Sequence, residues 1–445
     1  MKQEGDITMD KICKLSALAV FISLFTSTAG AASLESTIAQ SLMDNPEVKQ
    51  AYDNYVTRTH LVDQAEAGYY PKVDLSAGIG KEKYDNDDVD YDGHTLTRKQ
   101  MGVSLTQMLF DGFATSSNVD RTEAEALAQK HALFAQANNT ALRVTEVYLN
   151  VLRSQEIYQL SKENLATHQA IMADIGKRTD SGVGSTADYM QIKGRVARAQ
   201  ANLSAAENNM LDAKAEFFRV TNTEPLDLTQ PTPAAGNLPA SLSDAIASAQ
   251  KVHPTLLSAD QDIEATRYQY EASKANFYPK LSLEADQNFY EDIDGREGSI
   301  DSGKVMLMAR YNLFNGGADI AQKRATASQM AEAKDVKMNA SRQVQEGLSL
   351  AWNAKEALLK QKEFMQQHVL ASYDTVMAYR KQFLLGSRSL LDVLNTENEL
   401  FEARQNSVNT DYDALYAEYR ILNATGKLLD SVSFKAPAEW QNENK

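Results

Sequence analysis

Hydrophobic and polar positions change period twice along this chain, in the same order each time. Val73, Leu75, Ala77 and Ile79 alternate with Asp74, Ser76, Gly78 and Gly80, which predicts a strand with one apolar and one polar face. Met101, Val103, Leu105 and Leu109 repeat the alternation, broken at Gln107. Leu281, Leu283, Ala285 and Phe289 do the same, broken at Gln287. A fourth run holds Val305, Leu307, Ala309, Tyr311 and Leu313, with Arg310 and Asn312 on its other face. Each run is about ten residues, the length that crosses a bilayer as a tilted strand.

After Gly112 and after Gly317 the period becomes helical. From Phe113 to about Thr179 there is no proline and a single glycine, Gly176, so the predicted helix spans roughly 100 Å. Leu394, Phe401, Val408, Leu415 and Leu422 recur at seven residues, which predicts a coiled-coil seam. Val144, Val151, Tyr158 and Leu165 make a second seam, with Leu142 and Leu149 offset on another face. A helix with two seams suits neighbours on both sides, although the pattern alone also fits a plain helical bundle.

The two halves are copies. Ser33 to Ser76 aligns with Ser241 to Glu284 at a constant offset of 208, pairing Asn45-Pro46 with His253-Pro254 and Tyr70-Pro71 with Tyr278-Pro279. Later the offset is 204, pairing Phe110-Asp111-Gly112 with Phe314-Asn315-Gly316, and Gly182 and Asp188 with Gly386 and Asp392. Each half is then one structural unit. The expected organisation is a leader at 1–32, a first repeat at 33–224 with strands about 72–110, a Pro-rich linker at 225–240, a second repeat at 241–428 with strands about 280–314, and a tail at 429–445 that is polar and loose from Ala436.

A formal net charge of −15 argues against nucleic acid as a partner. Lys11 and Lys14 precede an apolar run from Leu15 to Phe25 and the small residues Ala29-Gly30-Ala31, the order of a secretory leader, with Met9 a second candidate start. Its removal takes away Cys13, the single cysteine, leaving no thiol for a disulfide, a metal site or a lipid anchor.

Few residues promise chemistry. Asp88, Asp90, Asp92 and Gly93 match the start of a calcium loop, but Lys99 stands where a bidentate Glu belongs, so any divalent site there is weak. The histidines lack metal spacing, and Gly182-Val183-Gly184-Ser185-Thr186 lacks the lysine of a phosphate loop. No nucleophile–base pair stands out, no cofactor is implied, and an enzyme is not expected. The turns are more informative. Gly182 and Gly386 each end a long helix, with Asp188 and Asp392 at the start of the next, where the helix dipole favours an acid. Both turns lie at the end farthest from the strands, with Gly184, Ser185 and Ser387 beside the glycines. They would form a docking tip. Helix capping alone also explains them.

Four strands with an apolar face cannot close a barrel, since about eight is the practical minimum. Unpaired edges in lipid are costly, so such strands must be pooled between chains. Long acidic hairpin loops and flanking aromatics such as Tyr84, Phe110, Phe277 and Phe314 fit that reading. The alternatives are a soluble α+β protein and a periplasmic coiled-coil scaffold or adaptor without a pore.

These features together resemble the TolC-like outer-membrane channels of Gram-negative bacteria, over about Ser33 to Leu428. The resemblance rests on the duplication, Asn45-Pro46, Tyr70-Pro71, Phe110-Asp111-Gly112, Phe314-Asn315-Gly316-Gly317 and the two Gly-to-Asp turns. It implies a helix-dominated homotrimer in the outer-membrane lipid. Twelve strands would form one barrel, continued by a periplasmic helical tunnel. It also implies a periplasmic adaptor and an inner-membrane ABC or other transporter as partners. The absence of an anchor cysteine leans toward the protein-secreting or general-efflux branch rather than lipid-anchored drug-efflux channels, with one-step type I secretion the first choice within it. Gating residues by this resemblance are Asp188, Arg388 and Asp392, with Asp392 forming an acidic ring that binds divalent ions weakly. Asn395 stands where a second acid can occur, and Phe383 where a tyrosine hydroxyl is available. Met108 replaces a common proline, so a local kink is expected to be missing.

Overall fold

The computed structural model describes residues 32–85, 95–231 and 238–441. The leader up to residue 31 and the acidic-loop positions Asp88, Asp90 and Asp92 lie outside the described residues. In chain order the main elements are α1 (Leu34–Asp44), α2 (Pro46–Glu66), β1 (Lys72–Lys83), β2 (Thr95–Phe110), α3 (Ala114–Asp180) and α4 (Thr186–Thr221). The second copy follows as α5 (Leu242–Val252), α6 (Pro254–Ser273), β3 (Lys280–Glu291), β4 (Ser299–Arg310), α7 (Ala318–Leu384) and α8 (Leu390–Ala424), then two single turns, α9 (Leu428–Ser431) and α10 (Ala438–Gln441). Among the described residues, no helix is long and apolar enough to cross a membrane.

Local chemistry sets the boundaries. Asn45 caps α2, its Oδ1 accepting from the Glu47 N–H at 2.9 Å, and Pro46 takes the first helical position, where no N–H is needed. His253-Pro254 does the same for α6, with Nδ1 accepting from the Thr255 N–H at 3.3 Å. Asp111 accepts from the N–H groups of Ala114 and Thr115 at 3.0 and 2.8 Å, which starts α3 directly after β2.

The four strands form one antiparallel sheet in the order β1-β2-β3-β4, so its central pair joins the two repeats. Register puts Val73, Leu105, Ala285 and Val305 in one row across all four strands. Asp74, Ser104, Asp286 and Lys304 form a row on the opposite face. The apolar face is bare: Val73 is 62% exposed, Ile79 75% and Val305 72%. The strands run to 12 residues, and β2 to 16, longer than the expected ten. The expected loss of a kink at Met108 does not hold. The ladder shifts between Met108 and Phe110, a bulge that leaves Leu109 out of register. Gln107, which interrupts the alternation, donates from Nε2 to the carbonyls of Met108 and Tyr69 at 2.8 and 3.0 Å.

The core lies midway along the long helices. Val144, Val147, Tyr148 and Val151 of α3 are buried against Leu34, Ile38 and Leu42 of α1, Phe217 of α4 and Leu422 of α8. The heptad residues Leu394, Phe401, Val408 and Leu422 are buried as the seam required, and Leu415 packs at the edge of this core. Up to Gln441 the tail is docked rather than loose, because Trp440 is buried edge-on to Phe134 at 6.1 Å and against Phe434 at 5.9 Å. The Tyr148 hydroxyl shares its hydrogen between the carbonyls of Ala32 and Thr229, at 2.7 and 2.6 Å. It thereby ties the start of the described chain and the segment after α4 to α3.

Tyr148→Phe removes that tie, a loss of about 1 kcal/mol for a buried hydrogen bond. Limited proteolysis should cut the segment between α4 and α5 faster, with helix content unchanged by circular dichroism. Glu418 on α8 carries a buried Oε2 without a hydrogen-bond partner, and burial pushes its carboxyl up against the pull of Lys355 and Lys362. A raised carboxyl pKa means the ionised form is the costly one in the folded state. Glu418→Gln should therefore stabilise the protein at neutral pH. The gain should shrink as pH falls through the raised pKa and disappear below about 4.3, the unfolded value. Denaturation midpoints across pH check this.

Candidate functional site: the two helical tips

The hairpins α3/α4 and α7/α8 end in turns built on one plan. Gly182 takes φ +78° and Gly386 φ +76°, a left-handed conformation that glycine adopts without strain. That geometry lets the Val183 N–H donate to the Arg178 carbonyl at 3.0 Å, and the Ser387 N–H to the Gln382 carbonyl at 2.9 Å. Each following helix opens on a serine. Ser185 Oγ accepts from the Ala187 N–H at 3.1 Å, and Ser389 Oγ from the Asp392 N–H at 3.2 Å.

The copies then diverge. Gly184 donates its N–H to the Arg178 carbonyl at 2.8 Å, and a Cβ on it would lie 2.8 Å from the Thr179 nitrogen, so the first turn needs glycine there. The equivalent residue of the second turn is Arg388. Its Nε donates to Gln382 Oε1 at 3.0 Å, and its guanidinium lies 4.3 Å from the centre of the Tyr379 ring. Asp188 and Asp392 both sit in the first turn of their helices. Only Asp392 completes a capping box, accepting from the Ser389 hydroxyl at 2.8 Å and its N–H at 3.3 Å. Arg388 is thus held by its own turn and Asp392 by its own cap. Within one chain they are not a mutual pair, and Asp188 lies on the other hairpin.

Different residues join the hairpins. Arg195 of α4 donates from Nη2 to Asn395 Oδ1 of α8 at 2.7 Å. Arg178 of α3 lies over the Phe383 ring of α7 at 5.4 Å and pairs with Asp174 at 3.2 Å. Between these contacts Ile175, Ile192, Leu390 and Leu394 form a buried cluster drawn from both hairpins. A groove of about 330 Å³ opens beside it, lined by Ile171, Asp174, Phe383, Leu390 and Val393 among others. Arg380 binds Glu397, whose side chain is almost wholly buried, so this α7/α8 pair is one whose single loss would leave a buried charge. Of the residues singled out from sequence, Asn395 and Phe383 therefore make contacts between hairpins. Arg178, Arg195 and Glu397 were missed. The available signal was divergence between the copies: Arg178 faces Gln382 in the alignment of the repeats, and Arg195 faces Glu399.

The family described as outer membrane efflux protein matches residues 37–223 and 245–427. The chain belongs to the outer membrane efflux protein family. It is 30% identical over 430 residues to the outer membrane efflux protein BepC of Brucella suis biovar 1, covering 95% of this chain and 92% of that one. It is 23% identical to the alkaline protease secretion protein AprF of Pseudomonas aeruginosa, covering 87% and 83%. Its fold is that of the crystal structures of CusC, at a TM-score of 0.77 and 16% identity, covering 88% of this chain and 91% of that chain. The family's two matched segments coincide with the two copies, one tip in each.

Removing the capping box should loosen one tip only. Ser389→Ala is expected to cost about 1 kcal/mol of local stability at the start of α8. Hydrogen exchange should speed up in the first turn of α8 and stay unchanged at the start of α4.

Proposed function

We propose that this outer membrane efflux protein is the passive exit duct of a tripartite export system, carrying cargo from a periplasmic adaptor and an inner-membrane transporter to the cell exterior. The observation that carries this reading is one chain holding a bare apolar four-stranded sheet and helices of 67 residues, about 100 Å long. A sheet with two open edges cannot stay in lipid alone. Three copies supply twelve strands, enough to close one barrel, and continue it with six helical hairpins. The polar face with Asp74, Ser104, Asp286 and Lys304 then lines a wet lumen, while the Val73 row meets lipid.

Transport needs no chemistry from the duct itself. The tips around Gly182, Gly184, Ser185, Gly386 and Ser387 are the surface we assign to the adaptor. The periplasmic entrance is narrowed there, and the Arg195–Asn395 and Arg178–Phe383 contacts hold each chain's hairpins together in the closed arrangement. Asp188, Arg388 and Asp392 face neighbouring copies in this reading, with Asp392 giving one carboxylate per chain around the axis. The type I secretion branch is favoured by the likeness to AprF, whose description is a protease secretion protein. The likeness to BepC keeps general efflux beside it.

The purified protein in a planar bilayer should conduct ions. Arg195→Ala should raise the conductance several-fold, because an exposed hydrogen bond of about 1 kcal/mol is enough to shift an entrance equilibrium about fivefold. Asn395→Asp, which turns the same contact into an ion pair, should lower it. No conductance from a folded, detergent-solubilised oligomer would sink the duct reading.

A further inference from the structure

On the face of the sheet that holds Asp74 and Asp286, charges are matched one to one with a single remainder. Lys72 lies 3.0 Å from Asp74, Arg98 2.8 Å from Glu82, Lys304 3.4 Å from Asp286 and Arg310 2.7 Å from Glu284. Lys280 is the other charged side chain of this face, and among the described residues it stands in no ion pair. Its place in the ladder is unfavourable as well. The register sets Lys280 directly opposite Arg310. Like charges that face each other across a strand pair destabilise it.

The first copy shows what this lysine lacks. The alignment of the repeats sets Lys280 on Lys72, Ser282 on Asp74 and Arg310 on Thr106. In the first copy, one cation faces the neutral Thr106 and has its own carboxylate two residues on. In the second copy a guanidinium has been added and that carboxylate removed. Ser282 is buried, and its hydroxyl donates to Glu284 at 3.2 Å, so it offers Lys280 no charge in exchange. Glu284 itself is held by Arg310. The missing group is matched by space. Where β3 begins and β4 ends, a polar cavity of about 390 Å³ is lined by Lys280, Arg310, Tyr278, Asn312, Asn315 and Asp319 among others. Asp319, from the first turn of α7, accepts from Asn276 Nδ2 at 2.9 Å and makes no ion pair with either cation. A guanidinium carries five N–H donors in a fork, and Glu284 bonds one of its nitrogens, so Arg310 keeps donors for a second acceptor.

We infer that Lys280 and Arg310 bind the carboxylate of a solute passing through the duct, at the level where the sheet meets the long helices. The ligand class follows from the repeat itself, since the group that answers this lysine in the first copy is the carboxylate of Asp74. The lining suits an organic acid or the acid end of a peptide: two cations take the charge, while the amides of Asn312 and Asn315 and the Tyr278 hydroxyl offer neutral hydrogen bonds. The other charges of this face are satisfied within the chain and attract ions weakly. The site is therefore local to one place in each copy, and it makes that stretch of the wall favour anions although the whole chain is acidic.

The placement in a duct wall rests on the duct reading, and binding tests the site separately. The probe is N-acetylglycine, one carboxylate on a peptide group, with its uncharged amide as the control. Titrated against the detergent-solubilised protein, it should show saturable broadening of its acetyl proton resonance. The amide should bind at least about tenfold more weakly, as the loss of a charge-assisted hydrogen bond requires. Lys280→Gln and Arg310→Thr each remove a cation, and Ser282→Asp restores the carboxylate of the first copy. Each should weaken N-acetylglycine by at least about tenfold, so a variant that fails to fold leaves two others. Lys81→Gln, on the opposite face, should change nothing. A parent that does not bind the acid, or folded variants that bind it as the parent does, overturns the site. In a planar bilayer with a gradient of potassium N-acetylglycinate, Lys280→Gln should move the reversal potential toward that of potassium. Binding in detergent with an unchanged reversal potential overturns the placement in the conducting wall. A folded oligomer that conducts nothing sinks the duct reading, while the titration still decides the site.

Discussion

The structure depends on an unfinished hydrogen-bond ladder. Two of the sheet's four strands, β1 and β4, each turn a row of backbone N–H and C=O groups away from any partner in the same chain. In water such an edge is solvated at little cost. In hydrocarbon each unsatisfied group costs several kcal/mol, and the bare apolar face of this sheet leaves it no other solvent. β4 ends at Arg310, four residues short of the counterpart of β2, whose last four residues pair only with β3. Duplication supplies a geometric answer, since a unit that seats on its own copy inside the chain can seat on the next chain by the same contacts.

The helices carry the asymmetry inward. α3 is enclosed by elements of its own chain, and the core around Val144, Tyr148 and Val151 is complete without a second copy. α7 remains largely uncovered, with Phe364 and Leu370 more than 60% exposed. A single chain therefore has one finished half and one waiting half. Twin left-handed residues link strand to helix in both copies, as Gly112-Phe113 and Gly316-Gly317. Phe113 bears the strain of φ +69° only where Phe110 and Tyr278 hold its ring, and the uncovered copy has glycine instead.

Much of this was legible in the residues because it is local. Alternation gave the four strands, unbroken helical period gave α3 and α7, and Gly182 and Gly386 gave the turns, each through the backbone conformation those residues favour. What was not legible depends on residues far apart in sequence. The bulge at Leu109 reflects pairing with β3 some 170 residues away, so the replacement of a proline by Met108 did not predict it. The docked tail needed the knowledge that Phe134 lies beneath Trp440. At the tips, the contacts that Asp392 and Arg388 make within one chain are with neighbours in sequence, Ser389 and Gln382. Arg195 and Asn395 are 200 residues apart, and only the fold makes them a pair.

On the proposed duct reading, magnitudes decide how such a tip opens. The Arg195–Asn395 hydrogen bond and the Arg178–Phe383 contact are partly solvated and worth about 1 kcal/mol each. Exposing Ile175, Ile192, Leu390 and Leu394 would cost about 1.5–3 kcal/mol for each side chain. The polar ties are thus the weaker part by several-fold, and a motion that breaks them while keeping the cluster buried is far cheaper than one that separates the hairpins. Sliding or rotating one hairpin over this apolar pivot meets that condition. The caps stay intact in such a motion, since Ser389 and Asp392 move together with α8, and so does the Arg388–Gln382–Tyr379 group on its own turn. An opening of this kind leaves each hairpin rigid and concentrates the change in the few contacts where the two copies have diverged.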